Sequence, residues 1–302
     1  MADKFKYNAS QLFNFVEDSY LERTSRPIYA IVFLLPFIIF YELGTLLINT
    51  DVLNETQVRV VAFVWLHSFL NEYLGFGSKL AWLAPPLAVL AILTGLQLAS
   101  RRQWRFALGD LCPMVVECIL LSVPLIVLSL LLNNPNNQRN NIEPFVNNTV
   151  KTQIESVQCF STSAAVQTTS QRKGGDGLKT SLLANIVTGI GAGIYEELVF
   201  RLILICLLML LFQDVLRLGR KNSIILSVLV SAALFSAHHH IDFLSGQLNQ
   251  SEPFDLTKFV FRTIAGVYFA VLFAIRGFGI TAGTHAFYDI IATIMNTVFF
   301  ER

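Results

Sequence analysis

Long apolar runs, each about the length needed to cross a bilayer, dominate this sequence. Residues 27–49 form the first, residues 80–98 form a second that carries no charge, and residues 111–132 form a third. A membrane-crossing helix needs about 20 mostly apolar residues. The pattern therefore predicts an all-α protein, a polytopic transmembrane helical bundle.

A polar stretch at 133–177, rich in Asn, Ser, Thr and Gln, is typical of a flexible solvated loop. Apolar patterns resume after it and predict helices at 178–218, 223–240, 256–275 and 279–300. The first of these is long enough for two spans, so we expect seven or eight spans in all. The interrupted segment 56–76 predicts an interfacial or re-entrant piece. The predicted division is an amphipathic N-terminal lead (1–26), a variable transmembrane half (27–132), the polar loop (133–177) and a second transmembrane domain (178–302).

Composition agrees with this pattern, since 54% of the 302 residues are hydrophobic and only 14% are charged. Soluble domains carry about 25% charged residues. The net charge of +1 gives no reason to expect a nucleic-acid partner. Basic residues cluster on alternate connections, as expected for a multi-pass protein of the cell membrane, and the short loops favour a bacterial inner membrane. No cleavable signal peptide is expected, and three of the four cysteines are predicted to be free, buried thiols (Cys112, Cys118 and Cys206).

Ionisable residues interrupt the apolar runs of the last third. Glu196, Glu197 and Arg201 lie within one such run, and polar insertions follow at 235–240 and 285–289. A charge at membrane depth costs roughly 2.5 kcal/mol or more unless it is paired or faces a wet cavity. We therefore predict that the three insertions form one buried site.

Helical spacing suggests different roles for the two acids. Glu197 and Arg201 are four residues apart with the acid first, which is the favourable orientation for an ion pair. Glu196 points away from Arg201, so it is the candidate general base. The Glu197–Arg201 pair is then a support for the site, or no more than a buried structural pair.

The histidines complete the set. His239 shares a helix face with Phe235, and Asp289 lies one turn after His285. A carboxylate, two imidazoles and a further acceptor can hold and deprotonate a water, stabilise an oxyanion and protonate a leaving amine. This is equipment for amide hydrolysis, and no Ser or Cys stands out as a nucleophile. His238 and His240 are expected at the helix end, facing water or headgroups, although either could take the role given to His239.

These motifs resemble those of the CPBP family, the CAAX-protease and bacteriocin-processing intramembrane proteases that include the Rce1-like enzymes. The run from Glu196 to Arg201 resembles the first motif, Phe235-x-x-x-His239 the second and His285-x-x-x-Asp289 the last. The resemblance covers about residues 180–300 and implies a catalytic domain there. It implies that Glu196 and His239 activate a water, and that His285 and Asp289 form the oxyanion side.

The resemblance also implies the substrate class, a membrane-associated or C-terminally modified peptide or protein. Prenyl-protein proteases of the family have Asn where this chain has Asp289. An ionised Asp can only accept hydrogen bonds, so CAAX specificity does not follow directly.

Three other functions stay open at this stage. The chain could be a non-hydrolytic scaffold or bacteriocin-immunity-type protein, or a proton-coupled transporter, although it shows none of the inverted repeats common in transporters. It could also be a zinc-dependent version of the same protease, since one Glu and two His form a known zinc set. We favour the metal-free enzyme, with no cofactor.

Overall fold

The computed structural model describes residues 16, 18–51, 60–74, 83–132, 175–242, 247–248 and 254–299. The predicted amphipathic lead falls mostly outside these ranges, and so does almost all of the predicted polar loop. In chain order the helices and strands are α1 (Tyr20–Thr24), α2 (Pro27–Asp51), α3 (Val61–Leu74), α4 (Ala84–Ser100), a 3-10 turn (Leu108–Asp110), α5 (Leu111–Leu132), α6 (Gly175–Glu197), a π-helical segment (Leu198–Leu204), α7 (Ile205–Met209), a second π-helical segment (Leu210–Val215), α8 (Arg220–Ala237), the two-residue strands β1 (Ile241–Asp242) and β2 (Gln247–Leu248), and α9 (Leu256–Phe299).

The described chain is a helical bundle with one short antiparallel strand pair, which confirms the predicted fold class. Among the described residues, five helical stretches are long and apolar enough to cross a membrane: Pro27–Ile48, Leu108–Leu132, Leu182–Val215, Arg220–Ala237 and Leu256–Val298. The last of these is divided by an internal break, and α4 is a shorter apolar helix. The count of seven or eight spans stays a prediction. The ambiguous segment 56–76 contains α3, which is too short to be among the five.

Helix α9 is broken at Gly277, where the backbone has φ 76° and ψ −178°. Glycine adopts a positive φ without the steric cost that a Cβ brings. Rings from the two sides of the break face each other, with Phe269 stacked on His285 and Phe261 beside Tyr288. The two halves, called α9a (256–276) and α9b (278–299), therefore run back along each other as a helical hairpin. The two helices predicted on either side of this point are confirmed.

Helix α6 packs closely against α9b through small residues. A Cβ added at Gly193 would lie 2.6 Å from the backbone nitrogen of Ala286, and one added at Gly189 would lie 2.7 Å from Cβ of Asp289. Helix α2 packs against a neighbouring face of α9b, where Phe37 meets Phe287 edge-on. The buried apolar core thus joins residues before and after the polar loop.

One cysteine prediction is wrong in part. The thiols of Cys112, Cys118 and Cys206 are free, but only Cys118 is buried. The other two lie on outward faces of apolar helices, where hydrocarbon rather than protein would cover them in a bilayer. An apolar sequence context therefore does not distinguish a thiol inside the bundle from one on its lipid side.

Candidate active site

Three separate parts of the chain bring the predicted site residues together. Glu196 and Glu197 end α6, and Arg201 lies in the π-helical segment that follows. The histidines 238–240 come directly after α8, and His285 and Asp289 lie on α9b. All of these side chains are buried, and both glutamates are 0% exposed. The structure thus places every predicted site residue in one buried cluster.

Glu197 bridges two of these parts. Its Oε2 lies 3.1 Å from Nε of Arg201, the ion pair predicted from the spacing. Its Oε1 lies 2.7 Å from Nδ1 of His285 and accepts a hydrogen bond from it. The guanidinium of Arg201 also lies over the ring of Phe235, with Cζ 4.0 Å from the ring centroid. Glu197 therefore has a neutralising partner and orients the His285 ring, as carboxylates beside catalytic histidines do.

The hydrogen bonds of two histidines determine what they present to Glu196. His238 donates from Nδ1 to the carbonyl oxygen of Phe235, because a carbonyl can only accept. Its Nε2 then carries a lone pair when the ring is neutral, and this atom lies 3.7 Å from Oε1 of Glu196. His285, with Nδ1 bonded to Glu197, directs its Nε2 to Glu196 Oε2 at 4.0 Å and to Asp289 Oδ2 at 3.6 Å.

Hydrogen-bond acceptors therefore converge on Glu196. Neither oxygen of its carboxylate accepts a hydrogen bond from any residue that the structure describes. Buried polar atoms in this condition mark strain, a catalytic role, or a place for water or an ion. A water that donates two protons, a cation or an added proton would satisfy the cluster. The arrangement can therefore hold a water and take a proton from it.

The same atoms could also hold a metal. One ligand atom from each of Glu196, His238 and His239 lies within 4.8 Å of the others. One Glu and two His suit zinc, and the bond from His238 Nδ1 to a backbone carbonyl is the second-shell contact typical of a metal-bound histidine. The residue types thus fit a zinc ion as well as a water.

The expectation that His238 and His240 face water or headgroups is wrong, since all three histidines of the run are buried. Helix α8 ends at Ala237, and the backbone then turns through 238–240, with His240 N bonded to the carbonyl oxygen of Ala237. His238 lies beside Glu196, while the His239 ring packs on His238 with a centroid distance of 3.9 Å. His240 packs against Phe254 instead.

Sequence reasoning missed residues that enclose the cluster. The Trp65 ring, on α3, lies 5.7 Å from the ring of His238. The only sequence signal for it was the polar interruption of segment 56–76. Arg262 is buried on α9a and acts electrostatically on Asp289. The wall of the cluster thus comes partly from the front half of the chain, meaning the residues before the polar loop.

Comparison with known protein families matches residues 178–291 to a family model described as type II CAAX prenyl endopeptidase Rce1-like. No curated protein and no solved structure matched the chain. The matched stretch contains all three motifs and all of the cluster named above except Trp65 on α3. The apolar helices and the match together indicate a multi-pass membrane protein, and the matched family, which is a protease family, supports peptidase activity. The resemblance that the motifs indicate is therefore confirmed over residues 178–291, which match the Rce1-like family.

Proposed function

We propose that this protein is an intramembrane endopeptidase in which Glu196 activates a water to hydrolyse a peptide bond. The observation that carries the proposal is the buried Glu196 carboxylate, which faces Nε2 of His238 and of His285 and accepts no hydrogen bond from the described residues. The family match supports endopeptidase activity in general. The substrate we propose is a membrane-associated or C-terminally modified peptide or protein, reached from the surrounding bilayer.

The first step is attack on the scissile carbonyl carbon. A water held between Glu196 and His238 gives one proton to Glu196 while its oxygen forms the new C–O bond, and the carbonyl becomes an oxyanion. His285 in its charged form donates from Nδ1 to Glu197 and from Nε2 to the oxyanion. Glu197, neutralised by Arg201, keeps the ring in this orientation. Donors fixed in place in a dry site stabilise such an anion strongly.

The second step breaks the C–N bond. The oxyanion reforms a carbonyl, the electron pair of the bond leaves with nitrogen, and Glu196 returns its proton to that nitrogen. Oδ2 of Asp289 lies 3.6 Å from His285 Nε2 and faces the proton on that nitrogen when no substrate is present. In this scheme Asp289 is an acceptor and has no donor role, which accommodates the difference from Asn in the prenyl-protein proteases.

The test compares purified wild type with Glu196→Gln in detergent, after equal folding has been confirmed, on a fluorogenic peptide library with and without a chelator. Glu42→Gln is the matched control, because Glu42 is another helical carboxylate that accepts a hydrogen bond, outside the cluster. We expect cleavage by wild type and Glu42→Gln, unaffected by chelator, and at least a hundredfold loss in Glu196→Gln, since a positioned base contributes about 10²–10⁴-fold.

Other outcomes would contradict the proposal in different ways. Activity that a chelator removes and zinc restores would make Glu196, His238 and His239 metal ligands of a zinc-dependent protease. Full activity in Glu196→Gln would remove Glu196 from the chemistry. Absence of cleavage by every variant, across the whole library, would favour a scaffold or transport function.

A further inference from the structure

The break between α9a and α9b is held by a single buried arginine. Arg276, which is 5% exposed, directly precedes Gly277. Its guanidinium makes a two-pronged contact with Glu117, with Nε 2.5 Å from Oε1 and Nη2 2.8 Å from Oε2. Its other hydrogen bonds go to α1 and the residue after it: the carbonyl oxygen of Leu21 at 2.7 Å, Oγ1 of Thr24 at 2.8 Å and Oγ of Ser25 at 2.9 Å. Five hydrogen bonds from one planar fork fix the side chain in both position and direction.

Each partner of Arg276 comes from the front half of the chain. Glu117 lies on α5, and it also accepts a hydrogen bond at 2.8 Å from the hydroxyl of Tyr20, the first residue of α1. These positions lie outside the stretch that matches the family. The contacts of Arg276 therefore join the front half of the chain to the stretch that carries the candidate site.

The front half of the chain also contacts the break and the first turn of α9b. A Cβ added at Gly277 would lie 2.9 Å from the carbonyl oxygen of Ser25, and one added at Gly279 would lie 2.9 Å from Cα of Ala30. Cys118 on α5 makes a hydrogen bond to the carbonyl oxygen of Ile280. The N-terminal end of α9b is thus held between α5 and the α1–α2 junction.

A single non-helical residue gives little control over the direction of the helix that follows it. The backbone of Gly277 is not helical, so contacts made by the side chains around the break help to set the direction of α9b. His285 lies eight residues beyond the break, about 12 Å at 1.5 Å per residue. A change of about 10° at the break would then move His285 by about 2 Å, and catalytic groups tolerate only about 0.5 Å.

We propose that Arg276 is a positioning residue for the reaction: by joining Glu117 and α1 to the break, it sets the direction of α9b and so the place of His285 and Asp289. This inference rests on the proposed function, since it assigns Arg276 a role in that reaction. It also predicts a physical change in α9b that can be measured without any substrate.

The test uses the full chain in detergent, with Arg276→Gln and the matched control Arg23→Gln. Arg23 makes a similar two-pronged contact with Asp110 at the same end of the bundle, at 3.1 and 3.2 Å, but it does not reach α9. We expect Arg276→Gln to lower kcat at least tenfold with KM changed less than twofold, and Arg23→Gln to leave both within twofold. Arg276→Lys keeps the charge without the fork, and we expect it to recover part of kcat.

Hydrogen–deuterium exchange provides the readout that needs no activity. We expect peptides covering 278–290 to exchange at least tenfold faster in Arg276→Gln than in wild type, with no such change in Arg23→Gln or in peptides of α6. If Arg276→Gln fails to fold, Glu117→Gln is judged by the same criteria, because it keeps one oxygen acceptor for Arg276.

The two readouts separate this proposal from the proposed function. Unchanged exchange and unchanged kcat in Arg276→Gln would overturn the positioning role. An equal loss of kcat in Arg276→Gln and Arg23→Gln would also overturn it, because both would then act through general stability. If wild type cleaves nothing, the proposed reaction fails, and faster exchange of 278–290 would show that Arg276 still sets α9b.

Discussion

The spacing between α6 and α9b should control the chemistry, and Gly193→Ala changes it directly. The added Cβ would lie 2.6 Å from the backbone nitrogen of Ala286 and 2.8 Å from the carbonyl oxygen of Ala282. Both are backbone atoms of α9b, so no side-chain rotation can relieve the contact. The two helices must therefore move apart at the residue next to His285.

The size of the effect follows from these distances. Ordinary contact begins at 3.4 Å, so the helices must separate by about 0.8 Å. The His285–Glu197 hydrogen bond, 2.7 Å in the native protein, would lengthen to about 3.5 Å, beyond the usual range. A misplacement of about 1 Å can cost about 10²-fold in rate. Overpacking costs about 1–3 kcal/mol, and roughly 1 kcal/mol returns because Ala favours a helix more than Gly does.

We therefore expect Gly193→Ala to lose about a hundredfold in kcat while its free energy of unfolding falls by only about 0–2 kcal/mol. The assays are peptide cleavage and thermal unfolding of the same detergent sample. Gly95→Ala on α4 is the matched control, because its added Cβ meets nothing within 4 Å. It should keep full activity and gain up to about 1 kcal/mol. Wild-type kcat in Gly193→Ala would refute the argument that helix spacing sets the site.

Three further predictions concern charge. Arg201→Gln should destabilise the fold by roughly 3–5 kcal/mol, because the buried Glu197 carboxylate loses its cation. Thermal unfolding should show this as a lower Tm, and an unchanged Tm would contradict it. Burial raises the pKa of Glu22, but the hydrogen bond and charge of Arg26 lower it more, so its pKa lies below the usual 4.5. The stability that this pKa shift contributes is fully present above pH 4.5. It is lost as the pH falls through the lower pKa that Glu22 has in the folded protein. Thermal unfolding of Glu22→Gln should therefore change less than that of wild type on acidification, and parallel curves would contradict the assignment. Asp289→Asn keeps an oxygen acceptor beside His285 Nε2, so its cleavage activity should stay within about tenfold of wild type. Asp289→Ala removes the acceptor that positions the His285 ring and should lose roughly 10²-fold. Equal losses in the two variants would show that the acceptor is unimportant.

Much of the helical fold was readable in the sequence, but its irregular parts were not. The glycines at 277 and 279 interrupt an apolar run, and the predicted helix ends at 275 and 279 lie within two residues of the real break. The π-helical segment after Glu197 gave no such signal. There the Ser231 hydroxyl on α8 donates a hydrogen bond at 2.7 Å to the carbonyl oxygen of Phe200. A distortion supported by a contact between helices is invisible to spacing along one helix.

The same limit applies to the site. Spacing predicted the Glu197–Arg201 ion pair, because both residues lie on neighbouring turns. The Glu197–His285 hydrogen bond joins positions 88 residues apart, so only the tertiary structure could reveal it. Helical periodicity also extended α8 to residue 240, three residues too far. Beyond Ala237 helical spacing no longer applies, so it could not determine which histidine lies next to Glu196.

The charges of the cluster show why a proton belongs in it. Buried charge is expensive unless it is balanced. The cluster holds three carboxylates and two buried arginines: Glu196, Glu197, Asp289, Arg201 and Arg262. If all are ionised, one negative charge remains, and a proton on His285 balances it. The proposed reaction needs that charged ring, because it donates to the oxyanion while the Glu196 carboxylate takes a separate proton from the water and later gives it to the leaving amine. The charge balance that makes the buried cluster tolerable is thus the one that the proposed reaction uses.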